Sequence, residues 1–146
     1  MIRRGCESDL NQVVELAREF WKHTIYDDAF CEDTVYVMAN ISLGQNLLSI
    51  LEINSNVVGF ACGIKGTLLA NCEVLTGTEL AWWVSPEHRQ GRNGIGLMRH
   101  LEGLAKSSGI KYWNMMFMES SMPDAIEAIY KKMGYKKSEV AYTKVL

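Results

Sequence analysis

Val84-Ser85-Pro86-Glu87-His88-Arg89-Gln90-Gly91-Arg92-Asn93-Gly94-Ile95-Gly96-Leu97-Met98 joins an apolar, strand-like run to an amphipathic helix through a glycine-rich, basic loop. Glycine lets a backbone approach an anion closely, and a following helix opens with unpaired N–H groups and the positive end of its dipole. A phosphate or pyrophosphate is stabilised in such a place. Arg89 and Arg92 bring guanidinium groups that form forked, charge-assisted bonds to phosphate oxygens. Two better-known phosphate loops do not fit. No Lys-Ser or Lys-Thr pair follows the last glycine, and Gly91, Gly94 and Gly96 lack the G-x-G-x-x-G spacing. Taken alone, the loop also reads as a strand-to-helix turn with solvated arginines.

The surrounding composition narrows the choice. The chain has 146 residues, expected to form one domain over 1–146 that buries about two-thirds of its unfolded surface. A net charge of -2 and a pI near 5.9 give no general attraction to nucleic acid. Lys131-Lys132 and Lys136-Lys137 are short basic pairs without a sustained positive stripe. The start, Met1-Ile2-Arg3-Arg4-Gly5-Cys6-Glu7, turns polar before an apolar leader core can form, and no run reaches membrane-span length. The expectation is a cytoplasmic protein with a small-molecule or protein partner, neither nucleic acid nor membrane. Cys6, Cys31, Cys62 and Cys72 are scattered without a C-x-x-C pair or a histidine cluster, so buried free thiols are expected and no metal site. His88 borders the loop and reads as a ligand contact or a solvated histidine.

Along the chain, strands and helices alternate without linker or repeat. Ile2 to Arg4 is a short strand, and Ser8-Asp9 caps a helix with Leu10, Val13, Val14, Ala17 and Phe20 or Trp21 at helical spacing. A second helix is predicted within Phe30 to Asn40. Leu47 to Ile53 and Val57 to Ile64 form a hairpin about Asn54-Ser55-Asn56, whose residue types tolerate positive φ. A second connection through Leu75-Thr76-Gly77-Thr78 leads into the strand Glu79 to Val84. After the loop, Ile95, Met98, Leu101, Leu104 and Ala105 share a helix face that ends near Gly109. Ile110 to Met118 is predicted as a long strand, Pro123 to Gly134 as a helix, and Tyr135 to Leu146 as a closing strand. Exposed strand edges at the C-terminus and the aromatic content favour a homodimer.

The loop resembles the acyl-CoA-binding signature of the GNAT N-acetyltransferases, Arg/Gln-x-x-Gly-x-Gly/Ala, which follows a strand ending in Val-x-Pro and precedes two large apolar residues. Arg89 takes the first place, Gly94 the last, and Leu97-Met98 the apolar pair. Arg92 stands where a glycine is usual, a variant that also looks like small acetyltransferases of phage type, and Asn93 replaces a common aliphatic residue. A second motif, Ile129-Tyr130-Lys131-Lys132-Met133-Gly134-Tyr135, is similar to the family's Leu-Tyr-x-x-x-Gly-Phe at the end of the last helix. The predicted order β-α-α-β-β-β-α-β-α-β matches that fold over almost the whole chain. The fold class expected is α+β, a mostly antiparallel mixed sheet flanked by helices.

The resemblance implies transfer of an acetyl group from acetyl-CoA to a primary amine without a covalent enzyme intermediate or a metal. It places Trp82, Trp83 and Val84 along the pantetheine arm and Gln90, Gly91, Arg92, Asn93, Gly94, Ile95 and Gly96 around the pyrophosphate, with Arg89 and Arg92 left open between a contact to the outlying 3′-phosphate and plain solvation. A backbone N–H at Val84 or a neighbour would meet the thioester oxygen. Glu79 is the candidate base or else an exposed strand-start carboxylate, with Glu119 and Asp124 in reserve, and Tyr130 matches the residue that protonates the departing sulfur or else is a core tyrosine on the helix's packed face. The acidic group Asp27, Asp28, Glu32 and Asp33 reads either as an attraction for a cationic acceptor or as a solvated helix start. Arg92 also leaves open a non-catalytic acyl-CoA-binding or protein-interaction module on the same fold.

Overall fold

Leu10, Val13, Val14 and Ala17 are all buried, as their spacing predicts, and they seat helix α1 (Leu10–Trp21) on a sheet. The computed structural model describes residues 1–146, which divide into two compact units, Met1–Met116 and Phe117–Leu146. The first unit holds five strands in the order β1 (Ile2–Arg4), β2 (Leu48–Ile53), β3 (Asn56–Leu68), β4 (Asn71–Val84) and β5 (Tyr112–Asn114). Neighbours are antiparallel except β4 and β5, which are parallel. Helices α1 and α2 (Glu32–Gly44) share one apolar cluster with Leu48, Ile50 and Phe60. Helix α3 (Asn93–Ser107) packs Leu97, Leu101 and Ala105 against Leu47, Leu51, Ala61 and Val84 in another. The expected mixed, mostly antiparallel sheet with flanking helices is present, and no helix is long and apolar enough to cross a membrane.

Local signals place the element ends. Asn54 and Ser55 both have positive φ (51° and 64°), and they close the β2–β3 hairpin as a two-residue turn matched to strand twist. Gly109 (φ 78°) ends α3, with Ile110 N–H donating back to Ala105 O at 3.2 Å. Asp9 stands at the expected cap position of α1 but does not cap it with its side chain: the carboxylate instead accepts the Cys6 N–H at 2.8 Å and both Arg3 Nη atoms at 2.8 Å. The Arg3 bonds hold this buried carboxyl down at about 2. A carboxylate with a lowered folded pKa contributes stability above its unfolded value and loses it as the pH falls through the folded one. Asp9→Asn is therefore expected to lower the unfolding free energy at neutral pH by about 2 kcal/mol. In urea melts between pH 7 and pH 2 the wild-type advantage should vanish at the acid end.

Several sequence expectations are corrected. Leu75 to Thr78 is not a connection: it lies inside β4, and the turn is Leu69-Ala70 at the tip of a long hairpin with Leu68 opposite Asn71. Thr76 to Thr78 pair on both sides, with Lys65 to Gly66 and Ile64 of β3 and with β5, so the polar residues read as a loop are held by two ladders. Helix α2 starts at Glu32 and runs on to Gly44. Strand β5 covers only Tyr112–Asn114 of the predicted 110–118, because it has ladder partners only at Thr76, Gly77 and Thr78. In the second unit, helix α4 (Pro123–Lys132) has proline in its first turn and Gly134 (φ 92°) after its end, as expected. The closing strand over 135–146 is absent. Lys136, Lys137 and Glu139 interrupt its apolar pattern, Val140, Tyr142, Val145 and Leu146 are exposed, and no strand pairs with it. The C-terminal edge on which the homodimer expectation rested is therefore not a strand.

Candidate functional site

The outer edge of β4 is open. Strand β5 leaves it after Thr78, while β3 continues to pair with Glu79 and with Ala81 through Val84 on the other side. Ser85 N–H donates to Val58 O at 2.9 Å. Because bonded and non-bonded pairs alternate along an antiparallel ladder, Trp83 and Ala81 then bond inward. The N–H and C=O groups of Trp82 and Val84 face the open edge. Such a row of donors and acceptors binds an extended, peptide-like chain as another strand would.

This edge runs into the glycine loop, and the structure shows why the loop accepts its unusual residues. Gly91 has φ 76° with open space around it, so conformation alone demands glycine there. Arg92 caps α3 at φ -111°, a conformation open to any L residue. Glycine is thus not required at 92. Asn93, placed where an aliphatic residue is usual, donates from Nδ2 to His88 O at 2.9 Å and closes the loop. The His88 side chain lies 3.8 Å from Glu87. No side chain caps α3, and Gly96 is the first residue of the turn to pair, with Arg92 O at 2.7 Å. The amides of Asn93, Gly94 and Ile95 are the orphan donors of this helix start. Gly94 and Gly96 serve packing: a Cβ would stand 2.9 Å from Trp82 Cζ2 at the first and 2.6 Å from Ile2 Cδ1 at the second.

Arg89, expected at a phosphate or in solvent, is anchored on its own strand end. Its Nε donates to Val84 O at 2.8 Å, and its guanidinium lies 4.3 Å from the centre of the Trp83 ring. That bond occupies the last outward carbonyl of β4. Trp82 O, Trp82 N–H and Val84 N–H remain available on the edge. Trp82 packs on the α3 side and Trp83 on the α1–α2 side, and both indole nitrogens are buried without a partner.

Glu79 stands where β4 and β5 part. A bulge leaves Leu80 unpaired, since Cys62 pairs with Ala81 and Gly63 with Glu79. Gly63 admits the Trp113 indole, whose Cη2 lies 2.4 Å from where a Cβ would be. The Glu79 carboxyl is 5 % exposed, and burial pushes it up to about 8 against the opposing bond from the Met116 N–H. The buried Cys62 thiol, pushed up to about 12 by burial and by Glu79, stays protonated beside it. A carboxyl tuned toward neutrality suits proton transfer near physiological pH.

The profile of the acetyltransferase (GNAT) family matches residues 10–135. The chain belongs to that family. No curated protein matches it in sequence. Solved structures share the fold at low identity. A predicted acetyltransferase from Clostridium acetobutylicum, determined with acetyl-CoA, is 18 % identical over 99 % of this chain and 95 % of its own, with a TM-score of 0.74. An aminoglycoside acetyltransferase from an uncultured soil metagenomic sample, in complex with sisomicin, is 14 % identical over 100 % and 95 %, also at 0.74. Ribosomal-protein-alanine N-acetyltransferase from Brucella melitensis biovar Abortus 2308 is 13 % identical over 100 % and 99 %, at 0.72.

In this GNAT acetyltransferase the remaining predicted residues divide between the two units. Tyr130, in the second, is buried, with the rings of Phe117 and Tyr135 at 6.0 and 5.6 Å. Glu119 and Asp124, also in the second, are exposed. In the first unit the acidic group splits. Glu32 pairs with Arg18 and, with Asp33, Glu15 and Tyr36, lines a depression of about 380 Å³ between α1 and α2. Asp27 and Asp28 lie outside it on the exposed loop after α1. Sequence reasoning missed the aromatic group at that end: Trp83 contacts Phe20 (6.1 Å) and His23 (5.0 Å), and Trp21 stacks on Tyr26 (5.6 Å). The adjacent Trp82-Trp83 pair in a strand was its available signal, because alternation sends one indole to each face.

Proposed function

We propose that this GNAT acetyltransferase moves the acetyl group of acetyl-CoA to a primary amine in a direct, ternary-complex reaction. The observation that carries the reading is the open outer edge of β4, which begins at a buried carboxyl and ends at an uncapped helix start. Acetyl-CoA supplies the activated acyl group. Its peptide-like arm suits the Trp82 and Val84 backbone groups, and its pyrophosphate suits the amides of Asn93, Gly94 and Ile95. The Val84 N–H is the donor for charge developing on the thioester oxygen. Glu79, as carboxylate, takes the proton of the attacking amine as the N–C bond forms and the C–S bond breaks. The resemblance assigns the proton returned to the thiolate to Tyr130.

The loop bearing Asp27 and Asp28 supports a cationic acceptor, attracted at a distance rather than held in a pocket. Reversing both charges to lysine is expected to raise the acceptor KM about fivefold at low salt, with little change in kcat, and the difference should shrink near 1 M salt. Equal KM values at low salt would remove this role. The reading as a whole is tested by titrating acetyl-CoA calorimetrically and following thiol release across a panel of amines, polyamines, aminoglycosides and peptide N-termini. Binding with amine-dependent thiol release supports it. Binding without release from any amine supports the non-catalytic module instead.

A further inference from the structure

Val84 O is the last outward carbonyl of β4, and a side chain of the same chain already holds it: Arg89 donates to it from Nε at 2.8 Å. The short turn Pro86–His88 makes this reach possible, because it folds the loop so that Arg89 comes back over the strand it follows. The guanidinium then lies 4.3 Å from the centre of the Trp83 ring, a cation–π contact. Arg89 is exposed, and these contacts are all that hold its side chain. On a β-ladder the N–H and the C=O of an outward residue both pair with the incoming strand. An arm whose oxygen takes the Val84 N–H therefore brings an amide N–H toward Val84 O. Arg89 stands in that place.

We propose that Arg89 is a latch on the donor edge: in the free protein its guanidinium fills the position of an arm amide at Val84 O, and it swings off when the donor pairs with β4. This rests on the acetyl-CoA reading above. Release also uncovers the Trp83 ring, which contacts Phe20 and His23 on the α1–α2 side, so donor pairing and exposure of that aromatic surface are one event. The latch sets the donor's affinity without contributing to it. A site closed about nine-tenths of the time binds about tenfold more weakly than the open one. Removing the guanidinium should therefore tighten donor binding, the opposite of removing a phosphate ligand.

The test compares the whole protein with Arg89→Met, which keeps an unbranched stem beside Trp83 but has no N–H donor. Both are titrated with acetyl-CoA and, separately, with S-acetylpantetheine, which has the arm and the thioester but no phosphate. Arg89→Met is expected to bind S-acetylpantetheine about three- to tenfold more tightly than wild type. In ¹⁵N spectra of the wild type, the Arg89 Nε–H resonance, identified by its loss in the variant, should shift and lose its protection from solvent exchange at saturating acetyl-CoA. Equal affinities for S-acetylpantetheine overturn the proposal, since Val84 O would then accept both donors at once. Weaker binding of acetyl-CoA by Arg89→Met, with S-acetylpantetheine unchanged, overturns it in favour of a phosphate contact. An unmoved Nε–H resonance at saturating acetyl-CoA overturns it even if the variant folds poorly, and leaves the donor site standing. Absence of acetyl-CoA binding by folded wild-type protein overturns the latch together with the donor reading beneath it.

Discussion

Under the proposed amine acetylation, Glu79→Gln is expected to lower kcat by about 10²–10³-fold and to leave acetyl-CoA affinity within about twofold of wild type. The carboxyl is buried where β4 and β5 separate, and the amide can neither accept a proton nor carry the charge that follows. The wild-type rate is expected to climb with pH and level off above about 8, where the carboxyl is ionised, and this rise should be missing in Glu79→Gln. Stability should move the other way. A carboxyl raised from 4.5 to about 8 on folding has its full stabilising contribution below its unfolded pKa and loses it as the pH rises through the folded one. Glu79→Gln has no such loss, so above pH 8 the variant should unfold at higher urea than wild type. A slower and more stable enzyme identifies a base; a slower and less stable one identifies only a damaged core.

Gly91→Val is the substitution expected to cost most in donor affinity, with acetyl-CoA binding weakened about tenfold or more. Its φ of 76° is closed to a β-branched residue at a cost of about 1–3 kcal/mol, and with nothing near its Cβ the effect is conformational rather than a clash. The loop relieves that strain by turning its amides away from the site. Arg92→Gly, which restores the family's usual residue, is expected to change affinity by less than about threefold, because φ -111° suits any L residue and no side chain caps the helix there. Calorimetric titration of both variants separates a conformational demand at 91 from a compositional one at 92. Arg92→Gly strengthening binding more than Gly91→Val weakens it would contradict this loop geometry.

What the sequence made legible was whatever rested on local rules. The Asn54-Ser55 turn, the Gly109 and Gly134 helix ends and the apolar faces of α1 and α3 follow from short-range backbone and periodicity constraints. The glycine loop and the Ile129 to Tyr135 motif were readable together because they occur in the family's order. What failed depended on partners distant in sequence. Ile110 to Met118 is apolar enough for a long strand, but only three of its residues find a ladder. Tyr135 to Leu146 has strand-forming residues and no pairing edge, and propensity without a partner does not make a strand. At the site, Glu79 could be named from its place before the loop. Its burial could not, since that depends on the Leu80 bulge and on Trp113 filling the space over Gly63. The turning of Arg89 onto Trp83 and Val84 was likewise invisible, because a loop arginine next to a phosphate motif reads first as a phosphate ligand.

The most direct test of the central claim is to incubate the protein with acetyl-CoA carrying a ¹³C-labelled acetyl group and the amine panel, and to identify products by mass spectrometry. The account predicts at least one N-acetylated amine bearing the label, formed with one equivalent of free CoA thiol and strongly reduced with Glu79→Gln. Saturable acetyl-CoA binding with no labelled amine from any acceptor class, or labelled product formed equally well by Glu79→Gln, would contradict it.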